Sequence, residues 1–187
     1  IEVVDSPLQI SAVQWNRLLA LQAEANPFQR HEYLAAMFTS DSATPKTGWT
    51  PRFFALWRAD PSRALAPREL HGACALYLKD HSYGEYVFDH AWANAYHQHG
   101  VPYYPKALVA PPFTPVPGVR LLARDSTARA ALARALVDWC RDSGLSSLHI
   151  LFASDEDALA CTAAGFMLRH NVQFHWTNRQ PEYLDFD

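Results

Sequence analysis

The chain has 187 residues, the size of one large domain or two small ones. Its 49% apolar and 13% aromatic content supplies a core and excludes disorder for the bulk of it. Net charge is −3, and the 16 Lys and Arg residues are scattered among 19 Asp and Glu, which argues against a duplex nucleic-acid binder. Three widely spaced cysteines, Cys74, Cys140 and Cys161, fit a reducing compartment. No apolar run approaches the ~18 residues of a membrane span and no signal peptide is visible, so a cytoplasmic chain is expected.

In chain order, Ile1 to Val4 reads as a short strand. Ser11 to Ala25 reads as a helix whose Ala12, Trp15, Leu18, Leu19 and Gln22 share a face, and Arg30 to Phe38 as a second helix. Asp41 to Thr50 is polar, with Pro and Gly, and reads as a loop. Arg52 to Trp57 and Gly72 to Lys79 read as strands, the second apolar on both faces and therefore central. Residues 80–112 crowd aromatic rings, carboxylates, histidines and prolines without helical or strand period, which reads as a long functional insert. A strand is expected from about Val116 to Ala123.

Ala128, Ala131, Leu132, Ala135, Leu136, Trp139 and Cys140 then recur at helical spacing, with Arg129, Arg134, Asp138 and Arg141 facing elsewhere. Asp125 or Ser126 caps the start and Gly144 ends the helix. Leu148, Ile150 and Phe152 alternate as a strand. Ser154 caps a short helix with Asp157 at the capping-box position, and Met167 to Trp176 is expected to be a last strand. Strands alternating with helices imply a mixed α/β sheet covered on both faces.

Several stretches carry a resemblance: Gly48-Trp49-Thr50-Pro51, Leu78-Lys79, Gly84-Glu85-Tyr86-Val87-Phe88-Asp89, Trp92-Ala93, Tyr103-Tyr104-Pro105-Lys106, Pro112-Phe113-Thr114-Pro115-Val116, Arg120-Leu121-Leu122, Ser146-Ser147-Leu148-His149 and Gln173-Phe174-His175-Trp176. Together they resemble the FemAB-like, peptidoglycan-related group, from about Pro27 to Trp176. The resemblance implies a GNAT-like (acyl-CoA N-acyltransferase-like) fold, with residues 1–187 as a single such domain and the first half of a two-domain protein. It implies an enzyme that transfers an acyl or aminoacyl group to an amine acceptor, a small molecule or a peptidoglycan precursor. Acyl-CoA or aminoacyl-tRNA would be the donor, with no tightly bound cofactor. The alternative is a non-catalytic acceptor-binding or scaffold half, associating with the missing C-terminal half or with a second copy through an open sheet edge.

Individual residues carry both readings. Glu85, Asp89 and His90 place two carboxylates and an imidazole within six residues. If the stretch is extended, Glu85, Val87 and Asp89 share a face, suited to deprotonating an attacking amine. Asp89 capping a turn and His90 bonding backbone is the structural alternative. Tyr103, Tyr104 and Lys106 suit a clamp on phosphate or carboxylate, or a stiff turn. Phe113 and Thr114 precede the strand where a cleft would open. Tyr86 and Trp92 are further candidate substrate contacts, and Arg120 either clamps substrate or pairs with Asp89 or Glu85. His175 is a core histidine or a substrate contact.

The turn Leu122 to Thr127 holds no glycine and contains Asp125, so a capped helix start is preferred there over a phosphate cradle. His97 and His99 would face one way in an extended segment, but no third ligand stands at metal spacing. No metal site is expected and the two read as solvent-facing loop residues. No nucleophile elbow is present, which argues against a covalent hydrolase mechanism.

Overall fold

The computed structural model describes residues 1–58, 68–170, 172, 174 and 177. Their strands are β1 (Glu2–Val4), β2 (Trp49–Arg58), β3 (Glu69–Lys79), β4 (Lys106–Val109), β5 (Leu122–Ala123) and β6 (Leu148–Ile150). Their α-helices are α1 (Ala12–Leu19), α2 (His31–Thr39), α3 (His90–Gln98), α4 (Ser126–Asp142) and α5 (Asp155–Ala163). The sheet runs β1-β2-β3-β4-β6, with β5 pairing β3 off that path. All pairings are antiparallel except β4 with β6. The chain is thus a mixed α/β protein.

Period-2 alternation along the strands builds a core on each face. Phe53, Ala73, Ala75, Tyr77 and Leu108 point to the face covered by Trp15, Leu18, Leu19 and Leu34 of α1 and α2. Phe54, Cys74, Leu76, Ala107 and Val109 point to the other, against Leu132, Ala133 and Leu136 of α4 and Cys161 of α5. Each large apolar side chain so buried contributes roughly 1.5–3 kcal/mol. At Gly72 a Cβ would come within 2.8 Å of Leu132, so glycine lets α4 approach β3 closely.

Several boundaries differ from the sequence-based expectation for identifiable reasons. α1 ends at Leu19, because the Gln22 side chain turns back to donate to the Leu18 carbonyl and to Ala123 O, both at 2.8 Å. β2 begins at Trp49 and runs through Pro51. β1 pairs only with Phe53 to Ala55, so the outer side of β2 is unpaired at Pro51, where a missing N–H costs little.

Residues 80–112 contain α3 and β4, so the stretch is not all irregular insert. Of the strand expected at Val116 to Ala123, only Leu122–Ala123 pairs. Met167 to His170 are not strand, and Asn171, Gln173, His175 and Trp176 of the expected last strand lie outside the described residues.

Arg129 does not face away from the core. It lies buried, bonded to Leu121 O, Asp157 Oδ1, Gln22 Oε1 and Glu156 Oε2. Asp157, fully buried, uses its other oxygen to accept from the backbone N–H groups of Arg120 and Leu121. Its carboxylate therefore ties α4 and α5 to the segment entering β5 rather than closing a capping box.

Candidate functional site

Lys79 ends β3 and Lys106 begins β4, and the antiparallel register sets them directly opposite each other. Both are fully buried, at 0% and 1% exposure. Like charges opposed across a ladder repel, and a buried ammonium is costly without a counter-ion, so this pair demands carboxylates. The loop from Asp80 to Asp89 supplies them. Lys106 Nζ donates to Glu85 Oε2 at 2.7 Å, to Ser82 Oγ at 2.9 Å and to Asp89 Oδ2, which uses all three of its protons.

The other oxygen of each carboxylate, Glu85 Oε1 and Asp89 Oδ1, is buried without a hydrogen-bond partner. Tyr103, in the loop before β4, donates its hydroxyl to Asp89 Oδ2 at 2.7 Å and lies 3.3 Å from His149 Nε2 on β6. Ser147 Oγ stands 2.9 Å from the same ring nitrogen, and Tyr104 and Ser82 share a hydrogen bond of 2.8 Å.

The two carboxylates are driven apart in acidity. Burial raises the Glu85 pKa above its usual range, and its bond to Lys106 only partly offsets this. Burial acts on Asp89 in the same sense, but the hydrogen bonds from Lys106, Ser82 and Tyr103 outweigh it and hold its pKa low. Burial, with Lys106 alongside, pushes the Lys79 ammonium down to about 8 despite the attraction of Glu85 and Asp80. Its Nζ sits 3.8 Å above the Trp49 ring, with weak bonds to Tyr83 O at 3.3 Å and His81 Nδ1 at 3.4 Å. His149 is lowered to about 4 by burial first and by Lys106 second, so it is neutral at physiological pH.

Not every expected residue joins this cluster. Glu85 and Asp89 do so through an irregular loop with Tyr86 at a φ of 59°, not through an extended strand. His90 opens α3 on the exposed side, its ring 6.3 Å from Phe88. Tyr103 and Lys106 are hydrogen-bonded to internal partners. Phe113 packs on Trp49 at 5.1 Å, and Thr114 bonds the Tyr33 hydroxyl at 3.0 Å. Tyr86 and Trp92 are exposed.

Arg120 pairs with neither Asp89 nor Glu85. Its guanidinium donates to the carbonyls of Val116, Gly118, Val119 and Leu151, a structural staple whose burial lowers its pKa to about 10. His175 lies outside the described residues. His97 is helical and His99 follows the end of α3, so the extended geometry of a two-histidine site is not formed. Among the described residues no three His, Cys, Asp or Glu side chains converge as a metal-holding group. No described helix is long and apolar enough to cross a membrane.

Lys79, Ser82, His149 and Trp49 belong to the cluster and were not legible as site residues. Their signal was positional: Lys79 closes an apolar strand, and a lysine there must find a counter-charge. At the start of α4, Asp125 Oδ1 accepts from Ala128 N–H at 2.8 Å, so a carboxylate already occupies the end of the helix dipole that favours anions.

A family model described as FemAB-like, peptidoglycan biosynthesis/recognition, matches residues 6–187, and the chain belongs to that family. Comparison with curated proteins returns no match. A solved structure, an isoleucine-to-methionine mutant of TTHA1254 from Thermus thermophilus, is similar at 17% identity and a TM-score of 0.42. It aligns over 95% of this chain and 97% of that one.

Proposed function

We propose that the chain takes the amine acceptor in an N-acyl or aminoacyl transfer of the FemAB-like, GNAT type, the acceptor being a peptidoglycan precursor. The observation that carries this reading is the pair of buried, unpartnered oxygens, Glu85 Oε1 and Asp89 Oδ1, beside two buried lysines. An acceptor amine arrives as an ammonium, and two vacant carboxylate oxygens are its natural partners.

The pKa values of the two acids, pushed in opposite directions, divide the work. Asp89, held low, stays ionised as the fixed counter-ion of Lys106. Glu85, raised, takes the proton from the ammonium. The freed amine lone pair then forms the new C–N bond at the acyl carbonyl, and the thioester sulfur or ester oxygen leaves with the old bond's electrons and takes up the second proton that the nitrogen sheds, giving a neutral amide and a free thiol or alcohol. Acceptor entry requires the 80–89 loop to lift, because both free oxygens are closed to solvent with the loop in place.

A second reading is a non-catalytic acceptor-holding half, the donor chemistry lying in a second half of a longer protein. Asp125 at the α4 N-terminus, where a donor phosphate would otherwise sit, favours it.

Titration calorimetry tests the shared core of both readings. A peptidoglycan nucleotide precursor with a free side-chain amine should bind about tenfold or more tightly than the same precursor N-acetylated, because acetylation removes the charge that meets the carboxylates. Equal affinity for the two forms overturns the proposal.

A further inference from the structure

Between Tyr83 and Trp92 buried acids interleave with exposed rings. Glu85 and Asp89 are 5% and 6% exposed, while Tyr83, Tyr86, Phe88 and Trp92 are 77%, 58%, 87% and 43% exposed. The acids are the anchors, bonded to Lys106, and the rings are what the anchored loop presents. The presentation is enforced by the backbone. Tyr86 holds a φ of 59°, a left-handed conformation that is costly for a bulky side chain and that persists only where the surroundings impose it. Phe113, also at positive φ and 40% exposed, comes from the neighbouring loop. It packs so close to Gly84 that a Cβ there would lie 2.6 Å from its ring.

Four large rings left in water within ten residues, three on the loop and Trp92 in the first turn of α3, mark a contact surface. The charge around them says of what kind. No Lys or Arg occurs between Lys79 and Lys106, so the loop supplies none of the cations that an anionic membrane or a nucleic-acid strand requires. Between residues 80 and 92 the exposed or half-exposed carboxylates and imidazoles are Asp80, His81 and His90, and from further along the chain the Arg169 guanidinium lies 5.2 Å over the Trp92 ring. A ligand with flat apolar faces and polar edges fits this surface. A pyranose ring has that form: its axial C–H groups stack on an aromatic face, and its hydroxyl and acetamido groups bond to tyrosine hydroxyls and imidazoles at the edge.

We propose that the Tyr83–Trp92 segment, the end of the loop and the first turn of α3, is a saccharide platform, on which Tyr86, Phe88 and Trp92 stack against N-acetylated amino-sugar rings of the peptidoglycan glycan or its precursor. The proposal rests on the placement of the chain in peptidoglycan chemistry, but not on its transfer activity.

Tryptophan fluorescence and calorimetry with tetra-N-acetylchitotetraose, a GlcNAc–MurNAc disaccharide and maltotetraose test it. The two N-acetylated ligands should bind saturably and maltotetraose should not. Phe88→Ala and Trp92→Ala should each weaken binding about tenfold or more, while Leu159→Ala, an exposed apolar residue on α5, should leave it unchanged. Circular dichroism should show all three variants folded. Absence of binding, equal binding of maltotetraose, or binding indifferent to Phe88 and Trp92 overturns the proposal. So does sedimentation showing self-association that Phe88→Ala abolishes, or adsorption to anionic phospholipid vesicles that it abolishes. Saccharide binding with no acyl transfer to any amine would leave this platform standing and remove the transfer reading. Transfer without saccharide binding would do the reverse.

Discussion

At the scale of single residues, the energetics turn on two lysines that the sheet register forces together. Lys106 is held by three hydrogen bonds, two of them to carboxylates, and removing it strands two buried acids. Lys106→Met should destabilise the fold by about 3–5 kcal/mol in urea unfolding. Adding Glu85→Gln and Asp89→Asn to it should recover part of that loss, because the uncompensated charges go with them.

Lys79 has no carboxylate within bonding distance among the described residues and rests on a π face instead. Its folded pKa of about 8 lies below the ordinary lysine value of 10.5. Between those two pH values the unfolded chain binds more protons than the folded one, so this group's contribution to stability rises with pH across that window. The stability of the parent relative to Lys79→Met should therefore increase from pH 8 to 10.5. A flat difference between the two would show that Lys79 is not perturbed.

At the scale of elements, amphipathic order was the legible part and polar long-range pairing was not. The spacing of Leu132, Leu136 and Trp139 set α4, and Asp125 and Ser154 were readable as caps because caps act over three residues. Arg129 looked like a solvent-facing charge, since its partners Asp157 and Gln22 lie 28 and 107 residues away. β4 was hidden inside the dense 80–112 stretch because four residues buried on every side have no alternation to show. Asp157 holds the backbone entering β5, α4 and α5 together at once. Asp157→Asn should cost about 3–5 kcal/mol in denaturant unfolding, as for a broken buried ion pair. Glu156→Gln, whose carboxylate is largely exposed, should cost under about 1 kcal/mol.

At the scale of the molecule, the family assignment places the chain in peptidoglycan biosynthesis or recognition, and the cluster is the location proposed for that role. Glu85 and Asp89 were legible as acids close in sequence. Their convergence on Lys106 was not, because it depends on a loop with a left-handed residue and on a strand register that no local pattern encodes. Arg120, read either as a substrate clamp or as a partner of Asp89 or Glu85, illustrates the converse: its guanidinium donates to backbone carbonyls that only the folded chain brings within reach.

The most direct test is the pH dependence of transfer from acetyl-CoA, a longer acyl-CoA or an aminoacyl-tRNA to the amine-bearing precursor, in the parent and in Glu85→Gln. If Glu85 takes the amine proton, kcat/KM in the parent should rise through a pKa above the ordinary carboxylate range, since the base must be ionised. The variant should lose that limb and about a hundredfold or more in kcat, with the donor's KM unchanged. A Glu85→Gln variant that transfers within about twofold of the parent, with the same pH profile, contradicts the account.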